Sequence, residues 1–217
     1  HFPIDRAGVI GLPAPGVSLK LAPIGERYEL RVRGPNVTPG FWAPGGAVRA
    51  AALDDEGYLP MGDAGKLADE REPARGVVFD GRIAENFKLS SGTWVAVGAL
   101  RVGCIAACDP LLADAVVAGH DRDYLALIVF ANVAACAALG EDEARRRIAA
   151  ALAARNRREG SSGQIRRLLV ADEPPSIDAG EITDKGYMNQ RAILERRGGL
   201  VERLYAAVPD AGVLVID

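Results

Sequence analysis

The feature that most constrains this chain is a change of pattern near its middle. Residues 1 to about 80 are rich in glycine and proline and carry little helical periodicity, whereas from about residue 98 apolar runs alternate with helical stretches. Two pieces of different architecture are therefore expected. In the first piece GLPAPG, residues 11–16, reads as a turn feeding VSLKL, residues 17–21. RYELRVR, residues 27–33, then alternates, with Tyr28, Leu30 and Val32 on one face and Glu29, Arg31 and Arg33 on the other. GPNVTPGFW, residues 34–42, punctuates that strand, and GVVFDG, residues 76–81, gives a further short one. These signals predict a small antiparallel β unit.

The second piece opens on VGALRVGCIAAC, residues 97–108, a helical segment with Leu100, Cys104 and Ala107 on one stripe. ADAVVAG, residues 113–119, and LALIVF, residues 125–130, are buried-strand candidates. EDEARRRIAAALAARNRRE, residues 141–159, opens with acids and closes with arginines, complementing the helix dipole at both ends. After GSSG at 160–163, which reads as a flexible loop, IRRLLVAD at 165–172 returns to strand character, and residues 189–206 are helical with a break at Gly198 and Gly199. The second piece is expected to be α+β or α/β, and the whole α+β. A connecting segment, DGRIAENFKLSSGTW at residues 80–94, mixes glycines, charges and a serine pair, as a hinge would.

A length of 217 residues suits one large domain or two small ones, and 49% hydrophobic with 25% charged residues is an ordinary globular balance. A net charge of −3 gives no broad attraction to nucleic acid or an anionic membrane. No apolar stretch approaches the roughly 20 residues that span a bilayer, and no signal segment opens the chain, so a cytoplasmic protein is expected. Cys104, Cys108 and Cys136 are an odd set with no partner histidine, which predicts free thiols and no metal site. His120 reads as an exposed turn residue, and Trp42 and Trp94 as packing residues.

Three short segments hold residues suited to chemistry, each with an ordinary alternative. In GYLPMGDAG, Asp63 follows a glycine at an expected strand end, where its carboxylate could accept from two adjacent hydroxyls; a plain Gly-Asp turn would look the same. In DGRIAENFK, Arg82 offers a planar fork of donors and Lys88 a point charge, or both are solvated surface groups. In GEITDKG, Lys185 stands on a loop bounded by glycines in a chain whose basic charge is nearly all arginine. Its ammonium could neutralise a phosphoryl oxygen, or simply be solvated.

Taken in order, YELRVRGPNVTPGFW (28–42), GYLPMGD (57–63), DGRIAENFKLSSGTW (80–94) and GEITDKGYMNQRAIL (180–194) resemble successive motifs of the C-terminal part of the adenylate-forming superfamily. The likeness is greatest to acyl- and aryl-CoA synthetases of the feruloyl-CoA synthetase type. It implies residues 1–82 as the distal β subdomain of a large adenylation domain, and 83–217 as a mobile α+β lid domain. It implies Asp63 and Arg82 at the nucleotide, Lys185 as the catalytic lysine, a hinge at Ala84 and Glu85, and Gly92 beside the pantetheine arm of CoA.

By the same resemblance the substrates would be a carboxylic acid, ATP with Mg2+, and CoA. Most of the ATP site and the acyl pocket would lie in a preceding region of the same enzyme. The chain is then expected to be a fragment, inactive alone. Met61 stands where the family usually has threonine, and Ala99 where many relatives have glutamate. The competing expectation is a non-catalytic binding or interaction module derived from the same fold.

Overall fold

The computed structural model describes residues 8–25, 27–43 and 45–216; residues 1–7, at the start where no signal segment is expected, lie outside them. The chain forms two compact units that divide between Ala84 and Glu85. The first contains β1 (Val9–Gly11), β2 (Ser18–Ile24), β3 (Arg27–Arg33), β4 (Gly40–Trp42), β5 (Val48–Ala50), β6 (Leu59–Leu67) and β7 (Val77–Arg82). Among the described residues β1, β7, β6, β3 and β2 lie side by side in that order, each neighbouring pair antiparallel. β4 and β5 form a separate antiparallel hairpin.

The alternation in β3 holds at Leu30, which is buried, and breaks at its neighbours. Tyr28 is 47% exposed and Glu29 is buried. Tyr28 faces Pro23 near the end of the β2–β3 hairpin, beyond the packed part of the sheet. Glu29 is tolerated because Arg31, two residues on and so on the same face, donates from Nε to its Oε2 at 2.8 Å. Trp42 is 81% exposed and does not pack as expected, because β4 belongs to the hairpin that stands apart from the sheet.

The second unit contains β8 (Phe87–Lys88), β9 (Trp94–Val95), α1 (Val97–Ala107), β10 (Leu112–Ala118), β11 (Leu125–Ala131), α2 (Val133–Leu139), α3 (Glu141–Asn156), β12 (Ile165–Val170), α4 (Gln190–Arg196), α5 (Gly198–Tyr205) and β13 (Val213–Val215). β10, β11, β12 and β13 form a mixed sheet in sequence order, parallel only between β11 and β12, where α2 and α3 make the crossover. The fold is α+β, as expected.

β11 explains the layering. Leu125, Leu127 and Val129 point into one core with Leu100, Cys104, Ile148 and Leu152 of α1 and α3. Ala126, Ile128 and Phe130 point into the other with Ile193 of α4 and Leu204 of α5. Residues alternate faces along a strand, so a continuous apolar run demands cover on both sides.

Three details differ from expectation. The buried stripe of α1 runs through Val97, Leu100 and Cys104 to Cys108, with Ala107 exposed, since a step of three from Cys104 falls about 60° short of a full turn and carries Ala107 past the edge of the stripe. The GSSG segment is ordered: Ser161–Gly163 is a 3-10 turn, and Asn156 at the end of α3 is buried and bonds both the N–H and the C=O of Ile165, at 2.9 and 2.7 Å. The helical break falls at Arg197, and Gly198 and Gly199 begin α5. All three cysteines are free. No helix among the described residues is long and apolar enough to cross a membrane.

Leu152 is fully buried in the core against α1. Leu152→Ala should cost about 2–5 kcal/mol of the second unit's stability. Urea unfolding followed by far-ultraviolet circular dichroism measures it, because among the described residues the α-helices belong to that unit.

Candidate functional site

In the first unit, Asp63 lies in the middle of β6, not at the strand end expected from sequence. The local cause is a bulge. Gly62 takes φ +69°, and at Gly65 a Cβ would come within 2.6 Å of the Leu30 side chain, so both positions favour glycine. Register slips between Asp63 and Gly65, and Asp63 is set opposite Arg82, the last residue of β7. Arg82 Nε stands 3.0 Å from Asp63 Oδ1, an ion pair without hydrogen-bond alignment. Oδ1 is buried and accepts no hydrogen bond among the described residues, while the Arg82 side chain is 60% exposed.

A charge network supports the loop leading into β6. Asp54 accepts from the backbone N–H of Tyr58 at 2.8 Å and of Glu56 at 3.1 Å, and from Arg31 Nη1 at 3.0 Å. These donors, the backbone N–H of Tyr58 first, hold its carboxyl down at about 2. Sequence reading missed this residue, whose only signal is an acid three positions before Gly57 and four before Tyr58.

The hinge candidates Ala84 and Glu85 sit in a 3-10 turn, Ile83–Glu85, at the division between the two units. Asn86 follows, and its Oδ1 accepts from the N–H of Val97 at 3.0 Å, capping α1 from outside the helix. Gly92 closes the turn between β8 and β9, with its N–H bonded to Leu89 C=O at 2.8 Å. It is exposed at φ +83°, with no atom within 4 Å of where a Cβ would stand. Lys88 lies over the Trp94 ring, 5.1 Å from its centroid. His120 is exposed, as expected, and its Nδ1 is 3.2 Å from Asp121 Oδ2.

Lys185 stands at the tip of a short hairpin. Ile182 and Met188 are bridged antiparallel, Thr183 N–H donates to Tyr187 C=O at 2.8 Å, and Gly186 N–H donates to Thr183 C=O at 2.9 Å. Gly186 takes φ +79°, which lets the chain reverse directly after the lysine. Lys185 is exposed and has no hydrogen-bond or ion-pair partner among the described residues.

Both ends of this hairpin are tied to the core. Beyond it, Gln190 is buried and accepts from Val117 N–H of the edge strand β10 at 3.1 Å. Before it, Glu181 is buried and accepts from Arg197 Nε at 2.9 Å, Arg197 Nη2 at 2.8 Å and Ser176 N–H at 2.8 Å. Sequence reading named neither anchor. Their only signal is a polar residue at each foot of the lysine segment.

Arg197 holds the Glu181 carboxyl down at about 2, against an ordinary value near 4.5. A depressed carboxyl stabilises the fold fully above its unfolded value and loses that contribution as the pH falls through the folded one. The stability that this anchor contributes should thus be complete above about pH 5.5 (about one unit clear of the unfolded value), fall progressively below, and be gone once the pH passes about 2. A carboxyl-detected NMR titration of Glu181, with Glu181→Gln to assign it, measures the midpoint.

Residues 98–209 match the AMP-binding enzyme C-terminal domain. The probable acyl-activating enzyme 16, chloroplastic, of Arabidopsis thaliana is 24% identical, across 91% of this chain and 31% of that protein. The carboxylic acid reductase of Segniliparus rugosus is 27% identical, across 96% of this chain and 17% of that protein. Long-chain-fatty-acid–CoA ligase FadD15 of Mycobacterium tuberculosis is 25% identical, across 92% and 34%. The chain thus spans about a third or less of these relatives.

The solved A-PCP didomain of the Segniliparus rugosus reductase, in complex with AMP, shares the fold with a TM-score of 0.73 at 24% identity, covering 90% of this chain and 29% of that one. O-succinylbenzoate coenzyme A synthetase from Bacillus subtilis, in complex with AMP, shares it with a TM-score of 0.58 at 18% identity, covering 86% and 35%. With the domain match extending over more than half of its residues, this chain belongs to the AMP-binding enzyme family, whose C-terminal domain it carries at residues 98–209.

Proposed function

We propose that this chain is the C-terminal portion of an ATP-dependent acyl- or aryl-CoA ligase of the cytoplasm, which first joins a carboxylic acid to AMP and then transfers the acyl group to CoA. The observation that carries this reading is Lys185: an exposed, unpaired ammonium at the tip of a hairpin whose feet are both bonded into the core. A solvated surface lysine needs no such scaffold. Adenylation brings a carboxylate to an α-phosphate, two anions, and charge rises on the phosphoryl oxygens as the bond forms. A cation held at that point stabilises the transition state more than the separated reactants. Lys185 is assigned that role.

Asp63 and Arg82 are assigned to the nucleotide. The buried Asp63 Oδ1 with no hydrogen-bond donor suits a ribose hydroxyl, and the exposed guanidinium of Arg82 offers further donors to ribose or phosphate oxygens. For Mg2+, the described residues contain no group of three or more His, Cys, Asp or Glu able to hold it. Ala84 and Glu85 are the proposed pivot, about which the C-terminal unit turns between the two half-reactions. Gly92, bare and exposed, is assigned to the backbone surface along which the pantetheine arm of CoA lies.

An aromatic acid such as ferulate is the proposed substrate, supported by the likeness of GEITDKGYMNQRAIL to the feruloyl type. The three free cysteines are consistent with the reducing cytoplasm.

Lys185→Ala, introduced in the complete enzyme, should lower adenylate formation by about 10²–10³-fold. Attack of CoA on supplied acyl-adenylate should change little. ATP–pyrophosphate exchange measures the first and thioester formation the second; equal loss in both would overturn the assignment. A panel of aromatic and aliphatic acids, assayed for ATP- and CoA-dependent consumption, tests the substrate. No consumption of any acid would leave the non-catalytic module as the reading.

A further inference from the structure

We infer that Glu181 and Arg197 are positioning residues for Lys185, a clamp that sets where the ammonium stands without touching substrate. The inference rests on the adenylation role proposed for Lys185 and deepens it. Arg197 occupies the junction of α4 and α5, with its guanidinium 5.1 Å from the centroid of the Phe130 ring on β11. From there it makes four bonds. Two go to the carboxylate of Glu181, at 2.9 and 2.8 Å, one to Glu173 C=O at 2.8 Å and one to Pro174 C=O at 2.9 Å. One planar fork therefore grips the start of the loop that follows β12 and the foot of the lysine hairpin together.

Glu181 completes the clamp. Its Oε2 also takes the Ser176 N–H at 2.8 Å, its own N–H donates to Ser176 C=O at 3.0 Å, and its C=O accepts from Asn189 N–H at 2.8 Å, across the base of the hairpin. Arg196 Nε stands 3.6 Å from Oε1 and adds positive charge from the surface. A chain of contacts thus runs from β11 through Arg197 and Glu181 to the hairpin that carries Lys185. A buried acid and its half-buried base are costly to desolvate and are weak stabilisers of a fold by themselves. Their geometric precision is what a lysine on a long loop lacks and what a transition-state contact requires.

The test uses Glu181→Gln and Arg197→Lys in the complete enzyme. Glutamine keeps the shape of Glu181 and an acceptor for Ser176 but loses the ion pair. Lysine keeps the charge of Arg197 but cannot reach both carboxylate oxygens and two carbonyls at once. Each variant should lose about 10²-fold in kcat for adenylation, the cost of misplacing a catalytic group by about 1 Å. The KM for ATP and the rate of CoA attack on supplied acyl-adenylate should stay within about twofold.

Parallel loss in both half-reactions would make the pair merely structural and overturn the inference. Unchanged adenylation in both variants would overturn it too. Lys185→Ala is run alongside. If that variant abolishes adenylation while the clamp variants do not, only the positioning role fails. If Lys185→Ala leaves adenylation intact, the adenylation reading itself fails.

Discussion

The second unit depends on one strand being dry on both faces. β11 presents Leu125, Leu127 and Val129 to one side and Ala126, Ile128 and Phe130 to the other, and all six are buried. Because exposing either row would cost about 1.5–3 kcal/mol per large side chain, helices must cover both faces. α1 and α3 close one side, α4 and α5 the other. The placement of α4 and α5 in turn fixes Arg197 at their junction and Gln190 at the start of α4, so the sheet determines where the lysine hairpin is rooted.

Charge is used differently at the two candidate sites. At Asp63 and Arg82 the pair is half open: one oxygen is buried without a hydrogen bond and one guanidinium faces solvent, so both keep capacity for a ligand. At Glu181 and Arg197 the capacity is spent internally, on each other and on backbone groups. The first arrangement suits recognition and the second suits rigidity. Lys185 combines them, as an unspent cation on a rooted hairpin.

The legible parts of the sequence were those where local pattern and burial coincide. The apolar run at 125–130 and the acid-to-arginine gradient at 141–159 became a strand and a helix close to where they were expected. The pattern failed where a partner distant in sequence reverses a local preference. Glu29 is buried because Arg31 meets it, Asp63 is displaced into mid-strand by a bulge around two glycines, and Trp42 is left outside because its hairpin joins no larger sheet. GSSG looked flexible from composition, yet Asn156 and Ile165 bond across it and hold it closed.

By itself the sequence determined the two-part character of the chain, the periodicity of its main elements and the order of the segments that carry Asp63, Arg82 and Lys185, because those are properties of neighbouring residues. Only the tertiary structure decided that Asp63 and Arg82 meet across β6 and β7, and that Glu181, Gln190 and Arg197 brace the lysine hairpin. Hydrogen bonds and ion pairs depend on separations of about 3 Å. Residues 16 positions apart in one case and 73 in another reach that distance only after the sheet and its covering helices have assembled.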